Sequence, residues 1–205
     1  MNFEQPLEEV SFVVVDVETT GMSPVEDRIT EIAMMRVLGG RITDEFSTLV
    51  NPLMTIPAFI TDLTGIDNIM VENAPTAREV VPYVQEFLGN GVFTAHNASF
   101  DWMFVSHTAR RERALELANE RLCTVKLTRR ILPFLPSKSL GPVARFMDIA
   151  IPQRHRASGD AFATAHLLIR YLRYLQRKYA LKTVGELLKF QSMKTADLVT
   201  RVPAW

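Results

Sequence analysis

The 205-residue chain holds a single cysteine, Cys123, so it can build neither a disulfide framework nor a cysteine-based zinc cluster. It has no apolar run of about 18 residues, the length that would span a bilayer. Residues 1–9 carry no basic stretch followed by an apolar one, as a signal peptide would. These absences set the expectation of a soluble, cytoplasmic protein with no membrane partner. There is no internal repeat, no low-complexity tract and no Gly/Ser linker. Lysine is missing from the first 100 residues altogether.

What is present is globular in balance, with 47% apolar and 22% charged residues. A chain of this length buries roughly 70% of its unfolded surface and needs no covalent staple. The formal net charge of zero conceals a division. Residues 1–100 carry 15 acidic and 4 basic side chains, and residues 101–205 carry 8 and 19. Such asymmetry arises when one half supplies carboxylates for a cation and the other faces a polyanion; it also arises when two halves merely neutralise each other.

The β-branched run Ser11–Val17 reads as a strand buried on both faces. Ile29–Leu38 and Arg41–Val50 read as strands joined by Gly39-Gly40, a hairpin signal because both turn positions need positive φ. Helical spacing follows in Ala74–Leu88, with Gly89 as its stop, then a short strand at Val92–Ala95. Ser99–Leu117 reads as a helix, Arg121–Thr124 as a last strand, and Val125–Leu132, Leu140–Met147 and Asp160–Tyr179 as helices. The pattern predicts an α/β protein with a mixed sheet flanked by helices. One domain is expected over 1–180. An extension over 181–205 opens with the capping box Thr183–Glu186 and ends loosely at Arg201–Trp205.

Three groups of residues suggest chemistry. Asp16 and Glu18 stand two apart at the end of the first strand, and so share a face. Two carboxylates on an apolar strand repel each other and lose hydration. A divalent cation makes them tolerable, and so does a position past the strand end in water. Thr19, Thr20, Gly21 and Met22 follow, a small polar turn whose glycine lets backbone approach a ligand. The second group, His96, Asn97, Phe100 and Asp101, leaves one strand and enters a helix, where a carboxylate also suits the helix dipole. In the third, His155 lies on the loop Ile151–Ser158, expected to be mobile and to be drawn into position by substrate, while Asp160 is fixed at the start of the next helix. Histidine can accept a proton near neutral pH, and an aspartate on a rigid element suits a metal. Together Asp16, Glu18, Asp101 and Asp160 form a hard-oxygen set suited to Mg²⁺ or Mn²⁺.

Over residues 10–175 the sequence resembles the DEDDh class of 3′–5′ exonucleases, and in particular the epsilon-type proofreading subunits of bacterial DNA polymerase III. The words that carry the likeness are Asp16-Val17-Glu18-Thr19-Thr20-Gly21, His96-Asn97-Ala98-Ser99-Phe100-Asp101 and His155-Arg156-Ala157-Ser158-Gly159-Asp160. Weaker words are Ile29–Ile32, Leu63-Thr64-Gly65-Ile66 and Cys123-Thr124. The spacing of His155 to Asp160 separates this class from its tyrosine-bearing sister.

The resemblance implies a ribonuclease H-like, five-stranded mixed sheet with an antiparallel hairpin and parallel strands. It implies two metal ions about 4 Å apart clamping an in-line displacement. Asp16, Glu18 and Asp160 would hold one; Asp16 and Asp101, the latter directly or through water, would reach the other. His155 would be the general base, and nucleoside 5′-monophosphates would leave from a single-stranded 3′ end. Thr19, Thr20, Gly21 and Met22 would cradle the terminal sugar, with Thr64, His96, Asn97 and Phe100 positioning the strand end. DNA is the expected substrate. RNA trimming on the same fold and a non-catalytic interaction module are the alternatives. Arg110, Arg111, Arg113, Lys126, Arg129 and Arg130 are candidates for backbone contact or for solvated faces. Two biological settings are open: a proofreading subunit, whose protein partner would be a polymerase or clamp, and a free-standing repair or turnover nuclease. Gln191-Ser192-Met193 has a faint likeness to a clamp-binding peptide, but Lys194-Thr195-Ala196 lacks its apolar ending. Docking of the tail on its own domain is the favoured reading.

Overall fold

The computed structural model describes residues 1–194. The expected loose end at Arg201–Trp205 and the tail residues Thr195 and Ala196 lie outside the described residues. Five strands form one sheet in the order β3-β2-β1-β4-β5. They are β1 (Phe12–Thr19), β2 (Ile29–Leu38), β3 (Arg41–Leu49), β4 (Val92–Ala95) and β5 (Arg121–Cys123). The β1–β2 and β2–β3 pairs are antiparallel, and β1–β4 and β4–β5 are parallel. The β2–β3 turn is the expected one, with Gly39 at φ 59° and Gly40 at φ 71°, a conformation that costs a residue with a Cβ dearly.

Helices cover both faces of this sheet. On one side lie α3 (Ala77–Leu88) and α4 (Ala98–Arg113), packed on Val13, Val15 and Val17 of β1 and on Ile32 and Met34 of β2. On the other lie α5 (Thr124–Ile131), α6 (Leu140–Phe146) and the 23-residue α7 (Ala157–Tyr179), packed on Phe12, Val14, Ala33 and Met35. A full capping box opens α3, Thr76 and Glu79 satisfying each other's helix-end groups. Two short helices, α1 (Ala58–Thr64) and α2 (Asn68–Val71), are not evident from periodicity. Gly65, at φ 72°, ends α1 in the left-handed conformation.

The expected boundary at 180/181 is not a structural break. After α7 the chain turns into α8 (Val184–Phe190), whose Val184, Leu187 and Phe190 join the α7-side core. The N-terminal segment clamps the same helix, with Leu7 N donating to Lys182 O and Gly185 N to Phe3 O. Burial of three apolar side chains outweighs the turn that precedes them. α4 is also shorter than expected and ends at Arg113, where Ala114 enters the left-handed region.

Candidate active site

Strand alternation sends Asp16 and Glu18 to the α7 face at the C-terminal end of β1. The register pairs Asp16 with Ala33 and Glu18 with Glu31, and a bulge follows between Glu18 and Thr19. Bulges bend a strand and re-aim its side chains, here where the apolar run gives way to charge. α7 begins at Ala157 rather than at Asp160, so Asp160 projects from the first turn of an established helix. Its carboxylate meets those of Asp16 and Glu18, one oxygen of each lying within 4.8 Å of the others. Asp101, on the first turn of α4, is buried beside this group; its Oδ1 accepts from the Val17 N–H at 3.3 Å.

Four acidic groups so placed cannot all ionise. Burial foremost, then repulsion from Asp101, Asp160, Glu18 and Glu31, holds Asp16 well above the usual carboxyl range. Glu18 is pushed up to about 8 by burial and by Asp160, Glu31 and Asp101, with the Arg156 guanidinium opposing. Burial raises Asp101 to about 7 against the pull of backbone amides. Asp160 is raised by burial and drawn back by the backbone N–H and ring of His155 and by Arg154. A concentration of hard oxygens, short of positive charge, is the donor set that a divalent cation satisfies.

His155 lies two residues before α7 with φ at 62°. Its loop is anchored rather than free. Glu31, buried on β2, accepts from Arg156 Nε at 3.1 Å and Nη2 at 2.8 Å, and from the Ala157 N–H at 2.8 Å. Glu31 and Arg156 each lie within a family-like word, but the sequence does not show that they pair, because 125 residues separate them.

The turn after β1 is wound on Asp27, which sequence reasoning also passes over. Thr20 Oγ1 donates to Asp27 Oδ1 at 3.1 Å and accepts from the Arg28 N–H at 3.0 Å, while the Ser23 N–H donates to Asp27 Oδ2 at 2.9 Å. A Cβ at Gly21 would lie 2.4 Å from an Asp27 carboxylate oxygen, so a side chain there would displace the carboxylate that braces this turn. Thr19 Oγ1 donates to the Gly21 carbonyl at 2.6 Å, and Met22 stands 77% exposed at the tip.

Several residues expected near a strand end have their polar atoms engaged within the protein. Thr64 Oγ1 donates to the Ile60 carbonyl and accepts from the Ile66 N–H. His96 donates from Nε2 to the Lys138 carbonyl at 2.9 Å and accepts at Nδ1 from Thr124 Oγ1 at 2.9 Å. Burial pushes its pKa down to about 4, so the ring is neutral. Phe100 packs on Phe104 with ring centroids 4.9 Å apart, and Asn97 is exposed, opening α4 at φ 85°.

The basic candidates divide. Arg110 pairs with Glu116, Arg111 with Glu112, and Arg113 Nε donates to the Arg78 carbonyl. These three brace the C-terminal end of α4. Gln191 caps the exposed edge of β5, its amide accepting from Cys123 N at 3.0 Å and donating to Arg121 O at 2.8 Å. The tail glutamine is therefore docked on its own domain.

The family model described as Exonuclease (RNase_T) matches residues 13–168. The DNA polymerase III subunit epsilon of Aquifex aeolicus is 38% identical over 171 residues, which cover 83% of this chain and 85% of that protein. A PolC-type DNA polymerase III from Caldanaerobacter subterraneus is 39% identical over 197 residues, 96% of this chain but 14% of that protein. The chain thus spans only a small part of its PolC-type relatives. Among solved structures, Exonuclease X in complex with 5′ overhanging duplex DNA superposes with a TM-score of 0.69 at 28% identity, covering 88% of this chain and 99% of that one. Exonuclease I of E. coli, at 16% identity and a TM-score of 0.73, shares the fold over 84% of this chain and 43% of its own. With a family model matching residues 13–168 and a relative 38% identical over 83% of the chain, the chain belongs to the exonuclease family.

Proposed function

We propose that the chain is a 3′–5′ exonuclease that shortens single-stranded DNA and releases nucleoside 5′-monophosphates. The observation that carries this reading is the convergence of Asp16, Glu18 and Asp160 within 4.8 Å, next to the anchored loop of His155. Asp16, Glu18 and Asp160 would hold one divalent ion, Mg²⁺ or Mn²⁺, and Asp16 with Asp101 would serve a second. When bound, such ions neutralise the carboxylates and stabilise charge on the reacting phosphodiester. His155, through a ring nitrogen, takes the proton of the attacking water. The Asp27-braced turn sets the backbone of Thr19 to Met22 beneath the terminal sugar. Because Thr20, Thr64 and His96 are already bonded within the protein, they act by shaping the floor, and Met22 and Asn97 present the exposed contacts.

The strand is best received by the α5–α6 region. Residues 121–147 contain six basic and no acidic side chains. Lys126 and Arg121 line a cavity of about 250 Å³ together with Glu120 and with Ala98 and Ser99 at the start of α4. The polymerase III relatives support work beside a replicative polymerase, whereas the docked Gln191 gives no support to a clamp peptide.

The test uses 5′-labelled single-stranded DNA and RNA with Mg²⁺, with and without chelator. A chelator-sensitive ladder growing shorter from the 3′ end, stronger on DNA, is expected. A stronger RNA ladder makes the enzyme an RNA trimmer, and no cleavage of either makes the chain a binding module.

A further inference from the structure

The loop that carries His155 is folded back on the helix that follows it, and one position permits this. Gly159 is the third residue of α7 and is buried. A Cβ there would lie 1.6 Å from the Pro152 carbonyl oxygen, 2.8 Å from its carbon and 2.9 Å from the Gln153 carbonyl oxygen. No side-chain rotation relieves such a clash, because the atoms involved are backbone. The loop would have to retreat by more than an ångström, a distance well within the short span from Pro152 to His155.

The rest of the loop is fixed to the same frame. The Arg156 N–H donates to the Gln153 carbonyl at 3.1 Å, closing a turn in which Gln153 and His155 both take positive φ, at 48° and 62°. Arg156 is forked onto Glu31 of β2, and the Ala157 N–H donates to the same carboxylate. Arg154 lies along α6, its guanidinium 3.0 Å from where a Cβ of Gly141 would stand. The sheet thus holds Arg156 and Ala157 through Glu31, Arg154 lies close against Gly141 of α6, and Pro152 lies against Gly159 of α7. His155 is the position between Arg154 and Arg156. Its N–H is turned to the Asp160 carboxylate. A rare backbone conformation persists only where its surroundings over-determine it, and here the surroundings do so before any substrate arrives.

We propose that Gly159 and Arg156 are positioning residues, which hold the turn against α7 so that His155 stands ready beside Asp160. The inference rests on the nuclease reading and adds that the base is pre-placed rather than recruited by the strand. Displacement of a catalytic group by about 1 Å can cost about 10²-fold in rate. Uniform strand binding, made elsewhere, should not change.

The variant Gly159→Ala tests this, and Arg156→Lys keeps the charge beside Glu18 while losing the fork. With Mg²⁺ and a single-stranded oligonucleotide, Gly159→Ala should lower kcat by about 10- to 100-fold with KM within about twofold. The rise in Tm that Mg²⁺ gives should match that of the wild type. On a His155→Ala background the same substitution should cost less than about twofold, because nothing remains to be positioned. Arg156→Lys should show a smaller fall with the same loss of effect on that background, and it decides the matter if Gly159→Ala does not fold. Near wild-type kcat in both variants, or a full further drop on the His155→Ala background, overturns the positioning role alone. A wild-type chain inert on DNA and RNA with Mg²⁺ and Mn²⁺ overturns the nuclease reading, and this inference with it.

Discussion

On β1 the odd and even side chains meet different surroundings. Val13, Val15 and Val17 pack against α3 and α4, in a layer that holds a small void of about 20 Å³ lined almost wholly by apolar groups such as Ile32, Val80 and Val84. Phe12 and Val14 begin an equally apolar layer against α7, but the next two even positions are Asp16 and Glu18. One face gives its whole length to cohesion. The other yields its last two positions to carboxylates that repel each other and face Glu31, Asp101 and Asp160. Substitutions on the two faces should therefore move activity and stability in opposite directions.

The largest effect belongs to the charged face. Asp16→Asn should abolish cleavage. In chelator at pH 8 it should also raise Tm by a few degrees, because an amide carries no charge for burial to penalise or for the neighbouring carboxylates to repel. An active Asp16→Asn enzyme, or one less stable than wild type without metal, breaks the contrast. Next in size is His155→Ala, for which a fall of about 10²- to 10⁴-fold in kcat is expected with the Mg²⁺-dependent rise in Tm retained. A variant whose main defect is metal binding would move His155 from base to ligand.

Linkage gives the sign of the pH effect. Glu18, raised from 4.5 to about 8, and Asp101, raised from 3.8 to about 7, hold protons in the folded state that the unfolded chain releases at lower pH. The folded state binds more protons between these limits, so stability falls as pH rises. In chelator, Tm should decline from about pH 5 to about pH 8, and Mg²⁺ should recover most at the alkaline end. A metal-free Tm that climbs over this window contradicts the crowding of the four carboxyls. On the apolar face the reverse pattern applies. Leu88→Ala, at a site 1% exposed on α3, should cost about 2–5 kcal/mol in urea unfolding while kcat per folded molecule stays unchanged.

Much of this contrast is legible in the sequence because it is local. The run Phe12 to Val17 shows the strand, Gly39-Gly40 shows the hairpin, and the two-residue step from Asp16 to Glu18 places both acids on one face. Asp101 and Asp160 are marked by the words around them and by the helices they enter. What escapes is set by distance or by shape. Glu31 and Gly159 lie within family-like words, but their roles emerge only when Glu31 is set beside Arg156 and the Pro152 carbonyl is folded onto Gly159. α1 and α2, of 7 and 4 residues, are too short to show a period, though Pro57 before α1 and Gly65 after it are their punctuation. His96 carries a motif's signature but is bonded at both nitrogens inside the fold.

The smallest expected effect separates two basic regions of equal sequence appeal. Arg110, Arg111 and Arg113 make an obvious cationic cluster, yet Glu116, Glu112 and the Arg78 carbonyl already engage them. Lys126, Arg129 and Arg145 are exposed and, among the described residues, their side chains have no hydrogen-bonded or ion-pair partner. They stand on α5 and α6, within the stretch that lacks acidic residues. Each phosphate neutralised on a single strand releases counterions, so the slope of log affinity against log salt changes by about 0.7 for every phosphate left without its cation. Replacing Lys126, Arg129 and Arg145 together by alanine should flatten that slope by up to about two units. The same treatment of Arg110, Arg111 and Arg113 should leave it unchanged. Binding should be read by fluorescence anisotropy with a labelled single strand in chelator, where no strand is consumed. If the arginines of α4 carry the slope instead, their ion pairs open to the strand and the path runs over the α3–α4 side. If neither set matters, the strand is held by the turn after β1 and by uncharged groups around Met22 and Asn97.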